Sequence, residues 1–193
     1  RHGNGGSPAL VGNLLVVACD GQDIDFVAAL DIRTGQLAWK IDRTIDSLPR
    51  KFSFSTPLAI TVENATQIVV PGTGLVAAYD PKDGREIWRV DYGDGYSVIP
   101  RPVFGQGLVY VCTGWSPPSL LAIRPTGQGN VTRTHVAWKS TVNVPNTPSL
   151  LLIDDALYFF SDGGIASCID AANGQARWRK RIGGNFSASP TYA

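Results

Sequence analysis

Apolar and polar positions alternate over short runs along most of this chain. The first stretch reads Pro8–Val11, a Gly12-Asn13 turn, Leu14–Cys19, a polar loop, Phe26–Asp31, a turn closed by Gly35, and Gln36–Ile41. A period of two, broken by glycine, asparagine and aspartate, predicts short strands joined by tight turns. Four such runs in succession predict an antiparallel meander. No run of about ten residues carries the 3.6-residue period of an amphipathic helix.

The meander repeats. Ala29-Leu-Asp31-Ile-Arg-Thr-Gly35-Gln-Leu-Ala-Trp39 and Ala78-Tyr-Asp80-Pro-Lys-Asp-Gly84-Arg-Glu-Ile-Trp88 have the same spacing. A third copy is Cys168-Ile-Asp170-Ala-Ala-Asn-Gly174-Gln-Ala-Arg-Trp178, with Cys at its small head position. A degenerate copy runs from Ala122 to Trp138, with Arg124 in place of the aspartate and a longer turn. A Pro preceded by a small or polar residue opens each unit: Ser7-Pro8, Thr56-Pro57, Arg101-Pro102, Thr147-Pro148, and once more at Ser189-Pro190. Four-strand units recurring about every 40–50 residues predict an all-β fold of propeller blades. The expected blades span residues 7–43, 55–92, 99–141 and 147–182, with 187–193 beginning an unfinished fifth.

Each motif residue has a physical task. Asp accepts hydrogen bonds from amides just ahead of it, and Gly supplies a positive φ without steric cost. These aspartates are therefore read as turn formers rather than metal ligands. Trp lies on the last strand of each unit, where a single blade cannot bury it. A neighbouring blade must cover about 150–250 Å² of indole, an upper bound of roughly 4–6 kcal/mol. The expected contact set is Ala29, Asp31, Gly35 and Trp39; Ala78, Asp80, Gly84 and Trp88; Trp138; and Cys168, Asp170, Gly174 and Trp178.

This pattern resembles the tryptophan-docking motif of the PQQ-like β-propeller superfamily. That superfamily includes the quinoprotein alcohol dehydrogenases and the lipoprotein scaffold of outer-membrane β-barrel assembly. The resemblance covers residues 7 to 182 and is closest in character to the scaffold. It implies a ring of seven or eight blades, of which four are present here as a partial propeller. It also implies a periplasmic or cell-envelope location. Arg124 and the long turn of the third unit depart from the motif and put that unit's docking contact in question.

Composition adds limits. Of 193 residues, 44% are hydrophobic and 17% charged, as in a packed globule. The formal net charge of +1 gives no electrostatic drive toward nucleic acid. No apolar run reaches the roughly 18 residues of a membrane span. The basic run Arg177-Trp178-Arg179-Lys180-Arg181 reads as a charged outer strand that discourages edge pairing. Cys19, Cys112 and Cys168 each sit in an apolar run and read as small buried hydrophobes.

Candidate chemistry is sparse. His2 and His135 are the only histidines, so no histidine pair is available for a metal or an acid–base couple. Asp20, Asp23 and Asp25 form an acidic loop but lack the glycine and glutamate of an EF-hand. Gly72-Thr-Gly74 is not followed by a helix, so it makes a weak phosphate cradle. The resemblance associates quinone binding with calcium, a stacked Trp and a vicinal Cys pair, and no two cysteines here are adjacent. Trp115, in Gly114-Trp115-Ser116-Pro117-Pro118, is the one Trp outside the repeat. The expectation is a non-catalytic module with no cofactor or metal, a protein partner, and self-association through open blade faces. The alternative is a fragment of a PQQ-dependent dehydrogenase.

Overall fold

A computed structural model describes residues 5–43, 52–115 and 117–192. His2 and Ser116 therefore lie outside the described residues. The described residues contain no helix. Among the described residues, seventeen strands form four sheets.

The first sheet is β1 (Ala9–Val11), β2 (Leu14–Asp20), β3 (Asp25–Asp31) and β4 (Leu37–Asp42), paired antiparallel in chain order. The second contains β5 (Leu58–Val62), β6 (Ala65–Pro71), β7 (Leu75–Tyr79) and β8 (Glu86–Asp91). The third contains β9 (Val103–Gly105), β10 (Leu108–Cys112) and β11 (Leu120–Ile123), with β12 (Gly129–Asn130) in its long turn and β13 (Val136–Ser140) as its last strand. The fourth is β14 (Leu151–Ile153), β15 (Ala156–Phe160), β16 (Ile165–Asp170) and β17 (Ala176–Arg181).

One sheet departs from the expected four strands. β12 pairs in parallel with β8, at Trp88 and Arg89, and makes the second sheet five-stranded. The longer third turn reaches across to the neighbouring sheet because it has residues to spare. At the far end, residues 187–192 form no strand. Ser189 is nonetheless tied to the fourth unit, since its Oγ accepts from the Ser149 amide at 3.0 Å.

Alternation along the strands gives each sheet two apolar faces, and the cores lie between sheets. Val16, Val27, Ala29 and Trp39 of the first sheet pack on Ile68, Val70, Ala77 and Tyr79 of the second. Trp88 and Val90 of the second pack with Val109, Val111 and Ile123 of the third. Tyr110 and Leu120 of the third pack on Leu157, Phe159 and Ile169 of the fourth. Every sheet also has a register shift at the head of the motif, at Ala29/Leu30, Ala78/Tyr79, Ala122/Ile123 and Cys168/Ile169. An extra residue there re-aims the last strand and increases the local twist.

Short polar links join the units beside their first strands. Ser55 Oγ donates to the Pro100 carbonyl at 2.9 Å, and Ser149 Oγ accepts from the Arg101 amide at 3.0 Å. The first of these satisfies the Pro100 carbonyl, which the connecting segment would otherwise leave buried and unpaired.

Candidate functional site

The repeated turn is built by its aspartate. Asp31 Oδ1 accepts the amides of Arg33 and Thr34, both at 2.9 Å. Asp80 Oδ1 accepts from Lys82, and Asp170 Oδ1 from Ala172 and Asn173. These bonds hold the Asp31 and Asp170 carboxyls below the ordinary value. For Asp31 the Thr34 amide contributes most; for Asp170 the Arg177 side chain does. The glycine closes each turn in the left-handed region, with φ of 69° at Gly35, 75° at Gly84 and 74° at Gly174.

Two tryptophans use the next unit's turn. Trp39 Nε1 donates to the Pro81 carbonyl at 2.8 Å, and its ring lies so close to Gly84 that a β-carbon there would meet it at 2.5 Å. Trp138 repeats this one junction on. Its Nε1 donates to the Ala171 carbonyl at 3.0 Å, and its ring lies 2.8 Å from where a Gly174 β-carbon would be. Ala29, Ala78, Ala122 and Cys168 face their own Trp across the last two strands.

Trp88 is held differently, because it meets the degenerate third turn. The indole is fully buried and donates to Gln67 Oε1 at 2.8 Å. Gln67 Nε2 in turn donates to the Pro125 carbonyl at 3.1 Å. Pro125 follows Arg124 as Pro81 follows Asp80, so one glutamine side chain is interposed in the direct contact seen at the other two junctions. The surplus turn then closes over the indole. The Val131 amide donates to the Arg89 carbonyl, Thr132 Oγ1 accepts from the Asp91 amide, and Asn130 Nδ2 donates to Asp91 Oδ2 at 2.6 Å. His135 sits in this cap, with Nδ1 2.8 Å from Thr134 Oγ1. The sequence reading missed Gln67, although a lone amide in an otherwise apolar strand end was its signal.

The two end sheets carry the same parts without counterparts. Trp178 is 48% exposed and meets the ring of Tyr158 in its own sheet, ring centroids 6.2 Å apart. At the other end, nothing lies within 4 Å of where a Gly35 β-carbon would be, and Ile32 is exposed. β17 is exposed throughout, with Arg177 gripping Asp155 at 2.7 Å and Asp170 at 2.9 Å.

The connections between strands two and three, and between units, hold the remaining charged chemistry. Arg43 and Asp20 form a buried ion pair, Nη1 to both carboxylate oxygens at 3.0 Å, with Nη2 on the Val70 carbonyl. Gly72 leaves room for it, since a β-carbon there would overlap the guanidinium. Burial pushes the Asp20 carboxyl above its ordinary value, with Arg43 and the Thr73 amide pulling against that rise. Asp25, opposite Asp20 across the two strands, accepts the Gly21 amide at Oδ1, and its charge adds to the rise at Asp20. Among the described residues, no three of His, Cys, Asp and Glu are grouped to hold a metal ion.

The Gly72-Thr-Gly74 amides are spent on Leu75, Asp20 and Gly95. Tyr92 donates its hydroxyl to the Gly72 carbonyl. Burial raises Cys112 far above the ordinary thiol range, and Cys168 is buried as well. Trp115 is 46% exposed and exchanges backbone hydrogen bonds with Tyr96.

Radial antiparallel sheets tied by tryptophans and glycine turns define a PQQ-like β-propeller. The chain belongs to the family described as outer membrane protein assembly factor BamB, whose model matches residues 2–180. BamB from Moraxella catarrhalis superposes with a TM-score of 0.63 at 18% identity, over 90% of this chain and 47% of that one. The quinohemoprotein alcohol dehydrogenase from Comamonas testosteroni gives 0.71 at 16% identity, over 93% of this chain and 40% of that one. Quinohemoprotein alcohol dehydrogenase ADH-IIG of Pseudomonas putida is 30% identical over 118 residues, 58% of this chain and 15% of the relative. The chain thus spans less than half the length of each of these relatives. No helix among the described residues is long and apolar enough to cross a membrane.

Proposed function

We propose that the chain acts as a non-catalytic scaffold module that binds protein, in the cell envelope. The observation that carries this reading is where its unsatisfied surface lies. The side chains capable of chemistry are spent internally, Arg43 on Asp20 and the Gly72–Gly74 amides on neighbouring groups. The exposed aromatic and apolar surface lies at the sheet ends and on connecting loops, at Trp178, Ile32 and Trp115. Exposed aromatics rimmed by arginine are the usual anchors of protein recognition. The family description, an assembly factor, agrees with this reading.

The second reading is part of a quinoprotein dehydrogenase, favoured by the partial identity to ADH-IIG. The residues present do not fit PQQ and calcium. The buried guanidinium already donates from Nη1 to both oxygens of a carboxylate, and the three cysteines lie in separate sheets.

A two-part binding experiment separates these readings. Adding PQQ with calcium should leave the melting temperature unchanged. Immobilised chain should retain a defined protein from envelope extract, identified by mass spectrometry, and lose it when Trp115 or Trp178 becomes Ala. A saturable rise in melting temperature with the quinone would reverse the choice.

A further inference from the structure

The residue just before the turn glycine differs among the three matching turns, although its geometry does not. Thr34 Oγ1 accepts the Gln36 amide at 3.3 Å, Asp83 Oδ1 the Arg85 amide at 3.0 Å and Asn173 Oδ1 the Gln175 amide at 2.8 Å. In each turn the glycine amide donates to the carbonyl of the motif aspartate at 2.8–2.9 Å, Gly35 to Asp31, Gly84 to Asp80 and Gly174 to Asp170.

The three side chains are not chemically alike. A hydroxyl offers no carbonyl, and a carboxylate resists attack by an amide. Only the carboxamide of Asn173 joins an electrophilic carbon to a group that departs as neutral ammonia. The Gln175 amide polarises that carbonyl, as a donor aimed at a developing oxyanion does. The same bond folds the side chain over the following peptide, and Gly174 has no β-carbon to shield its nitrogen. Asn173 is exposed. Asp83 is exposed at the same turn position in a sheet packed on both faces, so the position itself faces solvent.

We propose that Asn173 is a self-modification site whose reaction releases Trp138. The Gly174 amide nitrogen gives up its proton and attacks Asn173 Cγ. The new N–Cγ bond closes a cyclic imide, the Cγ–Nδ2 bond breaks, and Nδ2 leaves as ammonia with the proton that Gly174 lost. Water then opens the imide. Attack at the side-chain carbonyl gives aspartate, and attack at the main-chain carbonyl gives isoaspartate, which lengthens the main chain by one carbon. That turn is what the indole grips. The Ala171 carbonyl accepts both Trp138 Nε1 and the Tyr110 hydroxyl, each at 3.0 Å, and the ring lies against Gly174. A longer link between residues 173 and 174 shifts the ring contact relative to the acceptor, so the two grips no longer fit one indole. The docked indole in turn restrains the reaction, because Gly174 stays bonded to Asp170 until the turn opens locally. The rate at Asn173 therefore reports how often this junction opens, whatever the module binds.

Ageing the full chain in mildly alkaline buffer tests it. Peptide mass spectrometry follows conversion of amide to acid, and an isoaspartate-specific carboxyl methyltransferase counts the isomer. Asn173 should convert, with isoaspartate among the products, while the asparagines not followed by glycine keep their amides. Asn4-Gly5, the other Asn-Gly pair in the sequence, is read in a separate peptide. The aged chain should melt lower than the fresh one. Asn173→Thr, which copies the first turn, should age without that loss. Trp138→Phe keeps a ring but drops the N–H, and should speed conversion about fivefold, the change in open population that one lost hydrogen bond gives. If that variant does not fold, urea below the unfolding transition should speed conversion of the wild-type chain instead.

An Asn173 amide that outlasts those of the asparagines not followed by glycine overturns the site. An unchanged rate in Trp138→Phe, or in urea, overturns the restraint by the indole. An aged chain that melts like the fresh one despite conversion at Asn173 overturns the release of Trp138. None of these outcomes touches the scaffold reading, which is decided by retention of an envelope protein.

Discussion

Trp39 and Gly84 lie in different sheets, and the ring of one fills the space where a side chain of the other would begin, at 2.5 Å. The contact joins the two sheets more specifically than apolar area alone, because it fixes both an N–H to the Pro81 carbonyl and the turn's left-handed conformation. Gly84→Ala should therefore cost twice over, through backbone strain and overlap with the indole, by about 2–4 kcal/mol. Gly35→Ala, at a similar φ of 69° with nothing nearby, should cost only the strain, about 1 kcal/mol. Urea midpoints of the two variants measured on dilute, monomeric protein check the difference. Equal losses would mean that the indole contributes nothing at Gly84.

Gln67 should matter more than an ordinary strand amide. Gln67→Leu keeps the volume but leaves the Trp88 N–H and the Pro125 carbonyl without partners in a dry junction. Each buried unsatisfied group costs about 1–3 kcal/mol, so a loss of about 2–4 kcal/mol is expected. Thermal unfolding followed by indole fluorescence should show it, and a change within error would mean that water replaces the amide.

The Asp20–Arg43 pair should behave asymmetrically. Arg43→Met leaves a buried carboxylate without its cation, which costs about 3–5 kcal/mol. Adding Asp20→Leu should recover most of that loss, since two apolar groups replace two charges. A double variant as unstable as the single one would show that the pair fixes the local chain path rather than only neutralising charge.

Acid stability should carry a signature of Arg177. Its guanidinium holds Asp155 and Asp170 below the ordinary carboxylate value of 3.8. The folded chain then binds fewer protons than the unfolded one near that pH. The stabilisation is fully present above about pH 4 and disappears as pH falls through the depressed folded values. Arg177→Gln should lower the urea midpoint at neutral pH and converge on wild type near pH 2. A constant offset at both pH values would assign the loss to packing of the arginine stem.

Much of the architecture was legible in the chain because the repeat is local. The Asp-to-Gly turn and its Trp lie within eleven residues, so spacing alone exposes them, and proline marks the start of each unit. What was not legible depends on contacts between units. The long third turn signals only that a direct contact is broken. That Gln67 bridges the gap, and that β12 crosses to β8, follows from side-chain reach across a junction. The Asp20–Arg43 pair was hidden because the two residues sit in different connections and look like ordinary loop charges. Asp20 was instead read with Asp23 and Asp25 as one acidic loop; Asp20 and Asp25 do pair across β2 and β3, but Asp20 is committed to Arg43 and Asp25 to the Gly21 amide.

The crossing of β12 onto β8 makes the middle of the chain behave as a splint. The second and third sheets share a strand as well as a core, whereas the outer sheets are held by side-chain packing and short polar links. In an array whose units touch only their neighbours, opening proceeds from the weakest junction inward. Amide protons in residues 58–140 should then outlast those of the first and fourth sheets. A protease acting on transient openings would trim this molecule from both ends toward a resistant central pair.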